Sequence, residues 1–170
     1  YYLNTYVTNL VEGKLFVVDG QQRLTTLTLI LIKLKHLAEQ HQSDLIGCID
    51  DKIMGRSGFQ KNFWMNHTAH ISTLQDLFDG KELNDIETKS GITSQNMVKN
   101  YVEISKVLNS LSNKKIFETF VFYLLKRLVL INLDVKQTDV PMVFEVINDR
   151  GVKLKPYEIL NGKLLGQIDK

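Results

Sequence analysis

Apolar and polar positions alternate along the first part of the chain in a way that predicts a β-hairpin followed by a long helix. Residues 2–8 are rich in Tyr, Thr and Val, and a second apolar run, 15–19, follows a turn at 11–14. From residue 21 to about residue 40 the apolar residues recur at helical spacing. One side of this helix is lined by leucines: Leu24, Leu27, Leu31 and Leu34. Further apolar residues widen that side, so the helix is expected to be central and largely buried.

The middle of the chain predicts further helices. Apolar stripes favour helices over 67–78, 94–111 and 115–126, separated by polar stretches. Residues 43–66 have no clear period and are interrupted by glycines, which leaves their structure open.

The last third of the chain predicts a strand between helices. Residues 128–135 are apolar at successive positions, which indicates an interior strand covered on both faces. Helices are expected over 138–148 and 156–168, each with a proline in its first turn. The pattern therefore predicts an α+β fold, predominantly helical by residue count, with a small sheet whose edge holds the turn at Gly20.

Composition limits the classes of protein that fit. Of 170 residues, 44% are hydrophobic and 24% are charged, which is typical of one globular domain long enough to bury a core. A net charge of +2 without blocks of like charge favours local rather than extended contacts with nucleic acid. The single cysteine, Cys48, cannot form an internal disulfide, which is consistent with a cytoplasmic protein. Polar residues interrupt the apolar run at 24–37, so no membrane span is predicted.

The junction after Asp19 is the strongest candidate site. Gly20 ends the predicted strand, and Gln21, Gln22 and Arg23 follow at the expected start of the long helix. A helix N-terminus offers free N–H groups and the positive end of the helix dipole, and it binds anions such as phosphates. The planar guanidinium of Arg23 adds a permanent cation suited to phosphate. Since many Asp-Gly turns hold no ligand, the three residues after the turn are what favours a binding site.

Two motifs of the chain resemble a known family. Residues 19–27, DGQQRLTTL, are similar to a signature of the ParB/sulfiredoxin-like domain at the N-terminus of GmrSD-type, modification-dependent restriction enzymes and related phage-defence proteins. Residues 144–154, FEVINDRGVKL, with Glu-Ile-Leu at 158–160, are similar to a second motif of that family, F-E-x-x-N-x-R-G-x-x-L…E-x-L. The family tends to place Lys-Ala or Lys-Asn next, whereas Asn-Gly stands here at 161–162, so no role is assigned to a lysine.

The resemblance implies a nucleotide-binding regulatory domain, and it leaves NTP hydrolysis open. The cofactor would be a nucleoside triphosphate, with Mg²⁺ beside its phosphates if hydrolysis occurs, and no metal-ligating residues are assigned. The implied nucleotide- and phosphate-binding residues are Asp19, Gly20, Gln21, Gln22, Arg23, Asn148, Arg150 and Gly151. Supporting roles are expected for Thr26, Glu145 and Glu158. Without the resemblance, Arg150 and Gly151 would be interpreted as a helix C-cap.

The resemblance also implies a domain organisation. Residues 1–170 are expected to form a single domain, a ParB-like nucleotide-binding core with a helical insertion at about 43–127. Family members carry an aromatic, arginine-containing segment ahead of the first strand, and this chain begins too late to include it. A piece of a longer protein is therefore expected. Its expected partners are a nucleoside triphosphate, DNA through the full-length protein, and a nuclease domain or subunit.

Two other functions stay open. A non-enzymatic DNA-binding or sensing module would direct the same arginines at DNA phosphates, although the sequence has no basic stripe. A ParB-like nuclease would need a histidine cluster or an acidic metal-binding triad, and the sequence suggests neither.

Two smaller features have alternative interpretations. His67 and His70 are three residues apart and can share a metal ion, but surface or helix-capping histidines are the favoured interpretation. Phe63 and Trp64 can stack on a nucleic-acid base, but core packing is favoured for the pair.

Overall fold

The computed structural model describes residues 1–57, 60–86, 88 and 91–148, with the backbone alone at 57, 144, 145, 147 and 148. The chain divides into two compact units. The first joins Tyr1–Gln21 to the chain from Leu128 onward, and the second is Gln22–Arg127. The fold is α+β and mostly helical, which confirms the predicted class. A single domain with a helical insertion stays a prediction.

Eleven regular elements follow one another along the described residues. In chain order they are β1 Tyr2–Val11, β2 Lys14–Asp19, α1 Gln21–Gln40, α2 Ile46–Ile53, β3 Met54–Ser57, β4 Gln60–Phe63, α3 Ile71–Phe78, α4 Ile92–Leu108, α5 Lys114–Arg127, β5 Val129–Asp134 and α6 Val140–Asn148. Short 3₁₀ turns at Leu83–Asp85 and Gln137–Asp139 precede α4 and α6.

A three-stranded mixed sheet organises the first unit. Its strand order is β2-β1-β5, with β1 antiparallel to β2 and parallel to β5. The two-residue loop Glu12-Gly13 joins β1 to β2, and both residues have positive φ, 49° and 76°. Two successive positive φ values are the signature of a type I′ turn, whose twist matches that of paired strands. The predicted hairpin is therefore confirmed, and its second strand lies at an edge of the sheet formed by the described residues.

The prediction of an interior strand at 128–135 is wrong. Within the described residues β5 pairs with β1 alone, so it is an edge strand. Its apolar side chains at Val129, Ile131 and Leu133 are 51%, 43% and 45% exposed. An apolar run indicates that both faces of a strand can be buried. The position of the strand in the sheet depends instead on which other strands pair with it.

Polar side chains connect β1 to β5 and to the segment that follows β5. Thr8 and Asn9 are buried, at 0% and 3% exposure. Thr8 Oγ1 donates a hydrogen bond to Asn132 Oδ1 at 2.9 Å, and Asn9 Nδ2 donates to the carbonyl oxygen of Val135 at 2.9 Å. The Val135 N–H in turn donates to the carbonyl oxygen of Thr8 at 2.9 Å. These bonds fix the direction in which the chain leaves β5 towards α6.

We expect Asn9→Ala to lower the free energy of unfolding by about 1–3 kcal/mol, because it leaves the Val135 carbonyl without its side-chain donor. Urea denaturation followed by circular dichroism measures the change. Asn100→Ala is the matched control, since Asn100 is exposed on α4 and its loss should cost no more than about 0.5 kcal/mol. Equal stability of the two variants would show that the bond to Val135 has no net effect.

The second unit is helical and packs around α1. Leu29, Ile32 and Leu34 of α1 are fully buried, as are Phe117 and Val121 of α5. The bounds of α1 match the predicted ones, but its buried side differs from the predicted leucine stripe. Leu24, Leu27 and Leu31 are only half-buried. Because the run 29–32 is apolar at four successive positions, which point to all sides of a helix, periodicity alone could not identify its most buried side.

Other helices of this unit agree with the predictions to within a few residues. The helices expected at 94–111 and 115–126 are α4 and α5, whereas the one expected at 67–78 begins at Ile71. Residues 67–70 form a turn, in which the His70 N–H donates to the His67 carbonyl oxygen at 2.9 Å. The stretch 43–66 contains α2 and the antiparallel hairpin β3–β4. The helix expected at 156–168 lies outside the described residues.

Candidate functional site

The first motif lies where β2 passes directly into α1. Asp19 is the last residue of β2 and Gln21 is the first residue of α1, as predicted. Gly20 between them has a φ of +88°, a conformation that residues with a side chain rarely adopt. Glycine therefore allows the chain to turn from strand to helix within one residue.

The first turn of α1 provides groups that suit an anion. The first four N–H groups of any α-helix lack a partner within the helix, and the positive end of the helix dipole lies there. This helix is 20 residues long, and its first turn contains no acidic side chain. Arg23 lies in that turn and is half-buried. A cation and helix N–H donors are thus placed within one turn of helix.

The two glutamines of the motif have different surroundings. Gln21 Nε2 donates a hydrogen bond to the carbonyl oxygen of Val17 at 2.8 Å, so this side chain folds back onto the end of β2. Gln22 is exposed. The Gln22 carbonyl oxygen accepts a hydrogen bond from Thr26 Oγ1 at 2.8 Å. The supporting role expected for Thr26 stays a prediction, and the Gln22 side chain is accessible to solvent.

The second motif begins on α6, which lies against β2 within the first unit. The helix that ends at Asn148 therefore packs on the strand that ends at Asp19. Arg150, Gly151 and Glu158 lie outside the described residues, and for Glu145 and Asn148 only the backbone is described. Convergence of the two motifs on one pocket stays a prediction.

Comparison with known proteins decides the family. The sequence matches the family described as GmrSD restriction endonuclease, N-terminal domain, over residues 1–165. The chain belongs to this family. Membership makes it part of a restriction or phage-defence protein, as the two motifs predicted. No curated protein and no solved structure matches the chain. In the described part of this GmrSD N-terminal domain, no helix is long and apolar enough to cross a membrane.

Sequence reasoning missed the polar contacts that position α6 in this GmrSD N-terminal domain. Thr8 and Asn9 hold Val135 through the bonds described above, and Val135 lies five residues before α6 begins. They anchor the segment that leads to the second motif. Two adjacent polar residues within a strand are the only sequence signal for this anchor, and β1 contains a second such pair, Asn4-Thr5, so the sequence alone does not distinguish the pair that is buried.

The histidine pair shows no metal-binding geometry. The His67 and His70 rings stack with their centroids 5.0 Å apart and their planes at 16°, and His70 Nδ1 lies 3.2 Å from Ser94 Oγ. Among the residues that the structure describes, no group of three or more His, Cys, Asp or Glu side chains is placed to hold a metal ion. The pair therefore packs the start of α3 against α4.

An open groove of about 380 Å³ in the second unit is lined by residues outside both motifs. His36 lies in it, with Nε2 3.0 Å from the carbonyl oxygen of Phe78 and Nδ1 2.8 Å from the hydroxyl of Tyr101. A carbonyl oxygen only accepts, so Nε2 carries the hydrogen, and in the neutral imidazole the Tyr101 hydroxyl donates to Nδ1. Burial raises the pKa of Tyr101 above its usual value. His36 therefore joins α1, α3 and α4, which is a structural role.

Proposed function

We propose that this GmrSD N-terminal domain binds a nucleoside triphosphate at the turn between β2 and α1. The observation that supports this most directly is that α1 begins at Gln21, immediately after Gly20 at φ +88°, with Arg23 in its first turn. The phosphates would accept hydrogen bonds from the N–H groups of residues 20–23. The Arg23 guanidinium would make a two-pronged contact with one phosphate, in the geometry that favours arginine over lysine.

The neighbouring side chains have separate roles in this proposal. Gln22 is exposed beside the turn and would hold the ribose, a phosphate oxygen or an attacking water. Gln21, bonded to Val17, would keep the turn in place. Asn148 and Arg150 of the second motif would close the site from α6 and the residues after it.

Hydrolysis would need Mg²⁺ and a positioned water in addition to binding. Mg²⁺ is commonly held by one or two carboxylates together with the substrate phosphates, so a complete protein cage is not required. Asp19, half-buried at the end of β2, is the carboxylate nearest to the turn along the chain and would serve as that ligand. Mg²⁺ would neutralise charge on the phosphates, while Gln22 would orient the water.

The role that follows is regulatory. In a restriction or phage-defence protein, the nucleotide would control a nuclease domain or subunit, and DNA would be reached through the full-length protein. A nucleotide that binds one conformation more tightly shifts the population towards that conformation, which is the physical basis of such control.

The test is a thermal-melting screen with ATP, GTP, CTP and UTP, each with and without Mg²⁺, followed by calorimetric titration of any NTP that raises the melting temperature. At a free concentration one hundred times its Kd, a ligand that binds only the folded state stabilises it by about 2.7 kcal/mol. The matching nucleoside without phosphates should not bind, because the proposed contacts are to phosphate. Release of inorganic phosphate reports hydrolysis separately. The proposal is wrong if none of the four NTPs binds under either condition.

A further inference from the structure

The hairpin β3–β4 in the second unit presents the only tryptophan of the 170-residue sequence. Trp64 follows β4 directly and is 66% exposed. Its neighbour Phe63 is 5% exposed and packs edge-on against Phe78, with centroids 5.6 Å apart and planes at 88°. Core packing, the favoured interpretation of this pair, is therefore right for Phe63 and wrong for Trp64.

The indole ring of Trp64 is held in a fixed orientation although it is exposed. Its Nε1–H donates a hydrogen bond to the carbonyl oxygen of Asp51 at 3.1 Å. The benzene part of the ring lies over Gly55, where an added Cβ would come within 3.0 Å of ring carbons, closer than real Cβ atoms approach. A ring fixed on one side and open on the other is a preformed surface on which a flat group can stack.

Amide side chains share the face of the hairpin that Trp64 covers. Asn62 is the register partner of Gly55, and Gln60 lies two residues earlier on β4, so both belong to that face. Both residues are exposed. An Asn or Gln amide carries both a hydrogen-bond donor and an acceptor. The edge of a nucleic-acid base presents donors and acceptors too, so the two groups can pair.

Cationic side chains occupy the opposite face. Arg56 and Lys61 are direct register partners across the hairpin, and both are exposed. Like charges placed opposite each other in a sheet repel and are destabilising. Lys61 Nζ lies 3.3 Å from Asp50 Oδ2, whereas Arg56 forms no ion pair with any residue in the described part of the chain. An anion that binds both cations would relieve this repulsion.

We propose that the β3–β4 hairpin binds an unpaired segment of a DNA strand. One base stacks on Trp64, the amides of Asn62 and Gln60 contact base edges, and Arg56 and Lys61 contact backbone phosphates. A two-stranded sheet is thin, and no third strand pairs with it among the described residues, so a DNA strand that crosses an edge of the hairpin reaches both faces. The flat ring and the amides match a base, and the cations match the phosphates of a nucleotide chain. An acidic peptide would contact the cations alone. This site is separate from the proposed NTP site and does not depend on it.

The single tryptophan makes the test direct, because the intrinsic tryptophan fluorescence of the chain comes from Trp64 alone. We expect an oligothymidylate of about ten nucleotides, a length within the usual range of single-strand sites, to quench this fluorescence saturably. A fully paired duplex of the same length should quench it less and bind more weakly. Arg23→Ala should leave the quenching unchanged, which distinguishes this site from the NTP site.

Variants locate the contacts, with affinity measured by the anisotropy of a labelled oligothymidylate. Trp64→Ala should weaken binding about tenfold, and Trp64→Phe, which keeps a flat ring, should weaken it less. Phe122→Ala is the matched control, because Phe122 is also exposed, at 61%, but lies on α5. Gly55→Ala should weaken binding by displacing the indole ring. Circular dichroism checks that each variant is folded.

Charge variants test the phosphate contacts through the dependence of affinity on salt. Replacing Arg56 and Lys61 by Gln should lower the slope of log affinity against log salt by about 0.7 for each phosphate that the protein no longer neutralises. Lys115→Gln, at an exposed position on α5, should leave the slope unchanged. The proposal is overturned if the oligothymidylate does not quench the fluorescence saturably, or if Trp64→Ala binds it as tightly as the unchanged chain does. It is also overturned if the duplex binds as tightly as the single strand.

Discussion

Arg23→Ala is expected to weaken binding of nucleoside triphosphate by about tenfold or more while leaving the fold intact. A charge-assisted hydrogen bond contributes roughly 1.5–3 kcal/mol net, and Arg23 is the cation in the first turn of α1. Calorimetric titration of each variant with the NTP that binds best, alongside thermal melting, separates a change in affinity from a change in stability. Arg23→Lys should restore little affinity, because one ammonium group cannot reproduce the two parallel contacts of a guanidinium.

Arg127→Ala provides the matched control, since Arg127 is exposed at the end of α5 and belongs to neither motif. It should bind NTP as tightly as the unchanged chain. If the domain binds no NTP but binds duplex DNA, and Arg23→Ala abolishes that binding, the DNA-binding or sensing function replaces the nucleotide-binding one. If Arg23→Ala binds NTP normally, Arg23 is not the phosphate ligand.

Leu29→Ala is expected to lower the free energy of unfolding by about 2–5 kcal/mol, the range for a large apolar side chain removed from a packed core. Leu29 is fully buried in the cluster that also contains Ile32, Phe117 and Val121. Its removal leaves a cavity that neighbouring side chains from several elements fill only in part. Urea denaturation followed by circular dichroism measures the decrease.

Leu27→Ala on the same helix makes an identical chemical change at a half-buried position. It should cost clearly less than Leu29→Ala, because part of the Leu27 side chain is already in contact with water. This comparison tests which side of α1 faces the core. Equal decreases at the two positions would mean that the leucine stripe expected from the sequence is as deeply buried as Leu29.

Local patterns in the sequence predicted the turns and the helix start, because these depend on residues that are close together along the chain. Gly13 lies in the turn between β1 and β2, and Gly20 lies between β2 and α1, both in conformations that favour glycine, so the hairpin and the start of α1 were both predicted. The two motifs predicted the family, and the match over 1–165 confirms it. In α1, however, apolar residues surround the helix, and its buried side depends on the elements packed against it.

Features that depend on contacts between distant parts of the chain were not predicted. Among the described strands, the edge position of β5 depends on its pairing with β1, more than a hundred residues earlier. The exposure of Trp64 beside the buried Phe63 depends on the β3–β4 hairpin, whose segment has no clear period. For the candidate site, the turn and the position of Arg23 were predictable from sequence. The strand, the glycine and the helix start that form it are adjacent along the chain.

The parallel pairing of β1 with β5 has a consequence for the order of folding during synthesis. Asn9 and Val135, which are joined by a hydrogen bond, lie 126 positions apart in the sequence. Contacts at such separation close a long loop and form slowly, whereas helices formed by local contacts fold fast. As the ribosome releases the chain from its N-terminus, the helical residues 22–127 emerge before β5 and have time to pack first. The hairpin of β1 and β2 must then wait for its third strand, so we expect the sheet that leads into the Gly20 turn to be completed after the helices of the second unit.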